Sequence, residues 1–263
     1  MLYRMEKLIG LSIRGSDGQL GKVRDVYFDD DRWTARYLVV DTGGWLEARR
    51  VLISPMSIEN IDWDTRSVPV KLTRQQVKAS PAIDTDKPVS RQHELDLLGY
   101  YGYPRYWGGP LMWGTTSYPY PMSPTMLIPA ADGSPAEYTS APGDPQLRGA
   151  RAVRSYHLRT ADTSIGHVED FLIDDGSWTM RYIVVDTRDW WPGNHVLISP
   201  QWITAMDRSD KLVTVDVTRD TLQRAPEYDP AIDHSSTHEA SLYRHYELPA
   251  DSSRTTRAMG KHS

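Results

Sequence analysis

One register of self-similarity constrains this 263-residue chain more than any motif in it: two long stretches repeat each other at an offset of 145 residues. Gly21-Lys22-Val23-Arg24-Asp25 recurs as Gly166-His167-Val168-Glu169-Asp170. Trp33-Thr34-Ala35-Arg36-Tyr37-Leu38-Val39-Val40-Asp41-Thr42 recurs as Trp178-Thr179-Met180-Arg181-Tyr182-Ile183-Val184-Val185-Asp186-Thr187, and Val51-Leu52-Ile53-Ser54-Pro55 as Val196-Leu197-Ile198-Ser199-Pro200. Between 21–55 and 166–200, 19 of 35 positions are identical without a gap, and the register persists to Pro104 and Pro249. The chain therefore holds two copies of a unit of about 95 residues, and its fold must be one that such a unit can form twice.

Within each copy the pattern is that of short strands. Asp17-Gly18 supplies a hairpin turn, Gly21 to Phe28 reads as a strand, Asp29-Asp30-Asp31-Arg32 as a turn, and Trp33 to Asp41 as the longest strand. Trp33, Ala35, Tyr37 and Val39 alternate with Thr34, Arg36, Leu38 and Val40 on opposite faces. Val51-Leu52-Ile53, Ile58 to Ile61 and Val68 to Leu72 bring the count to about six strands, and no helix interrupts them. Helix is expected only afterwards, where Thr73-Arg74-Gln75-Gln76 and Ser236-Thr237-His238-Glu239 fit a capping box and Ser90 caps a helix from about Arg91 to Leu98. The fold class is all-β with short helical extensions, as two tandem small six-stranded β-barrels.

The expected domains are a first barrel over 8–80, a helical extension over 81–104, a linker over 105–150, a second barrel over 153–225, its extension over 226–249 and a disordered tail over 250–263. The linker holds eight of the 18 prolines and six of the 18 glycines, a composition that favours extended chain. It also carries Tyr106, Trp107, Trp113, Tyr118, Tyr120 and Tyr138, too many aromatics for an inert spacer. A core of this size supplies only about 3–5 kcal/mol of net stability. Without disulfides, the sister copy is the natural stabilising partner, and an internal pseudo-dimer is expected.

Composition removes several function classes. Zero cysteines exclude a disulfide scaffold, a Cys-ligated zinc site and a thiol nucleophile. A net charge of -5 argues against a DNA-binding role. No apolar run is long enough to span a bilayer or serve as a signal peptide, so a cytoplasmic location is expected. Gly15 to Lys22 is no phosphate loop: the glycine spacing is too long and Val23 replaces the required hydroxyl.

The repeated Gly-x-Val-x-Asp, Asp-Asp, Trp-x-x-Arg-Tyr-x-Val-Val-Asp-Thr-x-x-Trp and Val-Leu-Ile-Ser-Pro resemble the PRC-barrel family. That family is named for the cytoplasmic barrel in the H subunit of the purple-bacterial photosynthetic reaction centre, and a related barrel occurs in a ribosome maturation factor. The stretch from Asp86 to Glu94 with Tyr100-Tyr101-Gly102-Tyr103 looks like the extension of stand-alone tandem members. The resemblance implies a barrel used as a surface for other macromolecules, with no catalytic residues and no cofactor.

The expected function is therefore a non-enzymatic, soluble protein-interaction or assembly module, linked by family to reaction-centre-type electron-transfer assemblies. An RNA- or ribosome-associated role is the alternative. Its partner is expected to be a protein, and homo-oligomerisation is left open. The candidate interaction surface comprises Trp45, Trp190 and Trp191 at the turn after the longest strand, Arg36 and Arg181 within it, and Trp107 and Trp113 in the linker. Arg36 and Arg181 also have a plainer reading, as cross-strand partners of Asp25/Asp170 or Asp41/Asp186. The Asp-rich turns fit turn chemistry better than Ca²⁺ binding, and His234, His238 and His245 fit a solvated helical face better than a metal site, so no metal ligand is assigned.

Overall fold

The computed structural model describes residues 1–47, 49–81, 89–107, 109–120, 147–160, 163–187, 195–225 and 228. The chain forms two compact units, residues 1–156 with 170–182, and residues 157–169 with 183–263. The expected helical extension of the second copy and the tail lie outside the described residues. Among those residues, no helix is long and apolar enough to cross a membrane.

Two mixed sheets of similar topology carry the repeats. In the first, β2 (Ser12–Gly15), β3 (Gly18–Asp29), β4 (Thr34–Asp41), β5 (Arg50–Ile53) and β6 (Ser67–Pro69) lie in the order β5-β4-β3-β2-β6. Neighbours are antiparallel except β2 and β6, which run parallel. The longest strand is β3, at 12 residues, and β4 has 8. The expected strand from Trp33 is one residue shorter because Trp33 takes φ 52, a left-handed conformation that belongs to the turn. Ile58 makes only an isolated bridge to Val70, so the strand expected there is reduced to a single pair.

All of β4 but Asp41 is buried, so both of its faces are covered. On one face Tyr37 and Val39 pack with Leu52, Val89, Leu97 and Leu147. The cover is α2 (Arg91–Tyr101), capped by Ser90, whose side chain accepts from the His93 amide, and ended by Gly102 at φ 68. α1 (Arg74–Ala79) begins with the expected capping box between Thr73 and Gln76.

In the second sheet β8 (His157–Arg159), β9 (Ser164–Asp174), β10 (Met180–Asp186), β11 (His195–Ile198), β12 (Ile203–Asp207) and β13 (Leu212–Val215) lie in the order β11-β10-β9-β8-β13-β12. β8 and β13 are parallel, as β2 and β6 are. α4 (Arg219–Gln223) starts at the Thr218 cap. The repeated glycine has one physical cause in both sheets. A Cβ on Gly21 would lie 2.2 Å from the Asp41 carbonyl oxygen, and on Gly166 1.9 Å from that of Asp186. Both take positive φ, 157 and 126.

The first unit contains contacts that are reciprocal under the 145-residue offset. β1 (Leu2–Arg4) pairs with Leu172, Ile173 and Asp174 of β9, while β7 (Leu147–Gly149) pairs with Tyr27, Phe28 and Asp29 of β3. Each repeat thus lends its first strand to the other's long strand. Thr34 bridges its own counterpart Thr179. Ala35 N–H donates to the Trp178 carbonyl at 2.8 Å, and Met180 N–H to the Trp33 carbonyl at 2.6 Å. Trp178 shares the positive φ of Trp33, and this turn geometry aims both carbonyls at the other repeat. The chain's two phenylalanines, Phe28 and Phe171, meet here with ring centroids 5.6 Å apart. This isologous pattern fits an internal pseudo-dimer.

Two further carboxylates are reciprocal. Asp25 accepts from the Arg151 amide at the start of α3 (Ala150–Val153), and Asp170 from the Glu6 amide in the turn Met5–Leu8. Phe171→Ala is expected to cost about 3–5 kcal/mol in urea unfolding of the full chain. A loss below about 1 kcal/mol would show that the exchanged strands do not depend on this aromatic contact.

Candidate functional site

The most heavily built feature of the first unit is the seat of residues 105–120, which composition alone reads as linker. Arg36, on β4, is fully buried. Its Nη2 donates to Asp29 Oδ2 at 3.0 Å and its Nη1 to the Met112 carbonyl at 2.7 Å. The guanidinium carbon lies 3.9 Å from the centre of the Tyr106 ring and 4.8 Å from that of Trp113. A desolvated cation between two aromatic faces is worth about 2 kcal/mol. Burial lowers the Arg36 pKa, and Asp29 acts against that shift.

A second charged pair closes the same seat. Arg91 Nη1 donates to Glu94 Oε2 at 2.7 Å and to the Tyr106 hydroxyl at 3.1 Å. The Tyr106 hydroxyl in turn donates to Glu94 Oε1. Burial pushes the Glu94 carboxyl up to about 7, although Arg91 and the Tyr106 hydroxyl both favour its charged form. Trp113 Nε1 donates to the Ser177 carbonyl at 2.8 Å. Arg32 holds the Gly109 carbonyl at 2.7 Å and also the Leu111 carbonyl. With their backbone oxygens held by arginines, Leu111 and Met112 turn their side chains to solvent, as do Tyr118 and Tyr120, which are 61% and 67% exposed.

The candidate residues from sequence separate in this geometry. Arg36 and Trp113 are interior members of the seat, so neither offers a surface in this conformation. The expected partners of Arg36, Asp25 or Asp41, are corrected to Asp29. The register shifts at Val23/Asp25 and Tyr27/Phe28 cancel, so Asp29 pairs with Thr34 at the hairpin end, while Arg36 is the residue passed over between the Tyr27–Tyr37 and Phe28–Ala35 pairs. Asp25 instead accepts from the Val26 and Arg151 amides. Trp107 is half-buried, with the Arg91 guanidinium 4.1 Å from its ring centre. Trp45 is half-buried, its Nε1 donating to the Leu20 carbonyl at 2.8 Å. Arg181 is exposed. Trp190, Trp191, His234, His238 and His245 lie outside the described residues. The Asp-rich turns do turn work: Asp29 Oδ1 accepts from the Asp31 amide at 2.9 Å, and Asp174 Oδ1 from the Ser177 amide at 2.8 Å.

Among the described residues, one group has the ligand atoms to hold a metal ion, and sequence reasoning missed it. Glu169, Asp186 and His195 place their ligand atoms within 4.8 Å of one another in the second unit. His195 Nε2 is 2.7 Å from Glu169 Oε2, and His167 Nε2 is 3.8 Å from Asp186 Oδ2. The signal was present as alternation: His167 and Glu169 are two apart on β9 and so share a face. What was missing was the register that sets Asp186 directly opposite His195.

The PRC-barrel domain family model matches residues 2–77 and 151–222. No curated protein matches the chain.

The seat titrates. Glu94 has a folded pKa of about 7, above its ordinary value of 4.5, so the folded state favours the proton. The stability this gives is fully present below about pH 4.5 and is lost as pH rises through 7. Glu94→Gln stays neutral throughout. Its stability relative to the wild type is expected to improve by up to about 3 kcal/mol between pH 4.5 and 8. Parallel pH profiles of the two proteins in denaturant melts would refute a buried, proton-binding Glu94.

Proposed function

The chain belongs to the PRC-barrel family, as a tandem protein with two copies of the domain, and on that premise we propose that it is a non-catalytic module that binds another protein through the aromatic arm of residues 105–120. The observation that carries this reading is the division of labour within the arm. Tyr106 and Trp113 are buried and anchor it, while Leu111, Met112, Tyr118 and Tyr120 stand exposed within ten residues of one another.

A free apolar loop would lose much of its binding energy to ordering. This one is already fixed by Arg32, Arg36 and the Trp113–Ser177 bond, so a partner meets a preorganised surface. Tyrosine and methionine are residue types enriched at such surfaces. Trp107 lies beside the same anchor. The resemblance to the barrel of a multisubunit photosynthetic complex supports assembly as the context.

RNA association is the second reading, favoured only by the exposed tyrosines, whose faces can stack on unpaired bases. The net charge of -5 weighs against it, since binding to a phosphate backbone draws on clustered cations.

A photo-crosslinking residue placed at Tyr120 in the native cell separates these readings. A discrete protein adduct is expected, absent when the same residue replaces the exposed Glu59 on the barrel surface. A nuclease-sensitive adduct would transfer the argument to RNA, and equal labelling at both positions would remove it. The triple variant Leu111→Ser, Tyr118→Ala, Tyr120→Ala is expected to stay within about 0.5 kcal/mol of wild-type stability, because its side chains are exposed, while losing the partner.

A further inference from the structure

The Glu169, Asp186 and His195 group lies on the second repeat, apart from the aromatic arm, and its chemistry differs from anything in the first repeat. We propose that it is a binding site for one divalent transition-metal ion, zinc by its donor set, with His167 as the fourth ligand.

Three adjacent strands bring the donors together. His167 and Glu169 come from one face of β9, Asp186 from the end of β10 and His195 from the start of β11, where it stands directly opposite Asp186. Two imidazoles and two carboxylates are a donor set suited to zinc and its neighbours, with no need of cysteine. Zinc binds such atoms at about 2.0–2.2 Å, which places neighbouring donors about 3.3 Å apart around a tetrahedron. The separations of 2.7 Å for His195–Glu169 and 3.8 Å for His167–Asp186 bracket that value, and no pair in the three-residue group exceeds 4.8 Å. His167 stands outside the three-residue group and joins the shell through its approach to Asp186.

An ion pair between His195 and Glu169 is the plainer account of the 2.7 Å contact. A second pair, His167–Asp186 at 3.8 Å, extends that account to the almost fully buried Asp186, but separate pairs do not require Glu169, Asp186 and His195 to converge within 4.8 Å of one another. Two carboxylates this close repel, and burial raises the cost of that repulsion. A doubly charged cation between them removes it.

The first repeat shows how the same backbone meets this problem without a metal. At the four equivalent positions it carries Lys22, Arg24, Asp41 and Arg50. This end of the strand pair keeps its aspartate, half-buried here, with the exposed Lys22 and Arg50 in register on either side of Asp41. Three permanent cations stand where the second repeat has His, Glu and His. The second repeat has exchanged fixed positive charge for donor atoms.

The test uses the full-length chain, stripped with chelator and dialysed, and titrated with zinc chloride by calorimetry at about pH 7.5. One ion per chain is expected, with a rise in Tm on binding. The variant His167→Lys, Glu169→Arg, His195→Arg installs residues that the first repeat already accommodates at these positions. It is expected to keep the wild-type circular dichroism and to lose zinc binding. If that variant does not fold, Glu169→Gln serves in its place, with affinity expected to fall at least about tenfold in a chain that keeps the wild-type circular dichroism without metal. Two results overturn the proposal: no binding by the wild-type chain, or zinc retained at full affinity and stoichiometry by a folded variant. The latter would place the ion elsewhere, with His234, His238 and His245 the first residues to examine.

Discussion

The backbone pairing around Thr34 and Thr179 is the constraint on which the first unit rests. Two amides donate across this point to tryptophan carbonyls, and each carbonyl is aimed by a residue in the left-handed region. Such a conformation is unfavourable for a large side chain, and it persists only where surrounding structure enforces it. Here burial of both indoles enforces it. The exchange of β1 and β7 is then a matter of geometry, because two long strands held in this relation each leave an edge within reach of the other repeat's first strand. A unit too small to be comfortable alone gains its core from its copy.

That symmetry is broken at Arg36 and Arg181. The two arginines occupy equivalent positions, yet one is fully buried and the other exposed. At Arg36 the burial is made by the segment that follows α2. After α2 the chain supplies Tyr106, Trp107 and Trp113, and the rings of Tyr106 and Trp113 with the Met112 carbonyl solvate a buried guanidinium. The segment 250–263 at the equivalent place in the second copy has no aromatic residue. One duplicated residue therefore anchors an arm in one copy and remains at the surface in the other.

The same divergence runs through the strand ends. Lys22, Arg24 and Arg50 in the first copy stand against His167, Glu169 and His195 in the second, around an aspartate common to both. Duplication freed one copy to change chemistry while the glycine that lets the strands approach, Gly21 or Gly166, stayed fixed by a carbonyl about 2 Å from where its Cβ would sit. Structural positions were retained where backbone geometry demanded them. The side chains around them differ between the copies.

Much of the architecture is legible from residues alone. The offset of 145 residues, the hairpin at Asp17-Gly18, the caps at Thr73 and Ser90 and the family all come from local pattern, because turns, caps and strand alternation are short-range physics. Periodicity also places Arg36 on the opposite face from Tyr37, but it does not identify Asp29 as the partner, since Arg36 itself is passed over at an irregularity between the Tyr27–Tyr37 and Phe28–Ala35 pairs. Composition marks 105–150 as linker and cannot show that Tyr106 and Trp113 are core residues, because their burial is decided by Arg36, Glu94 and Ser177, distant along the chain. The His/carboxylate group is invisible for the same reason. His167 and Glu169 announce a shared face, but only strand pairing brings Asp186 and His195 to it. Local sequence determined which elements form and that they form twice; long-range register and burial decided which copy holds an arm and which gathers the histidines and carboxylates.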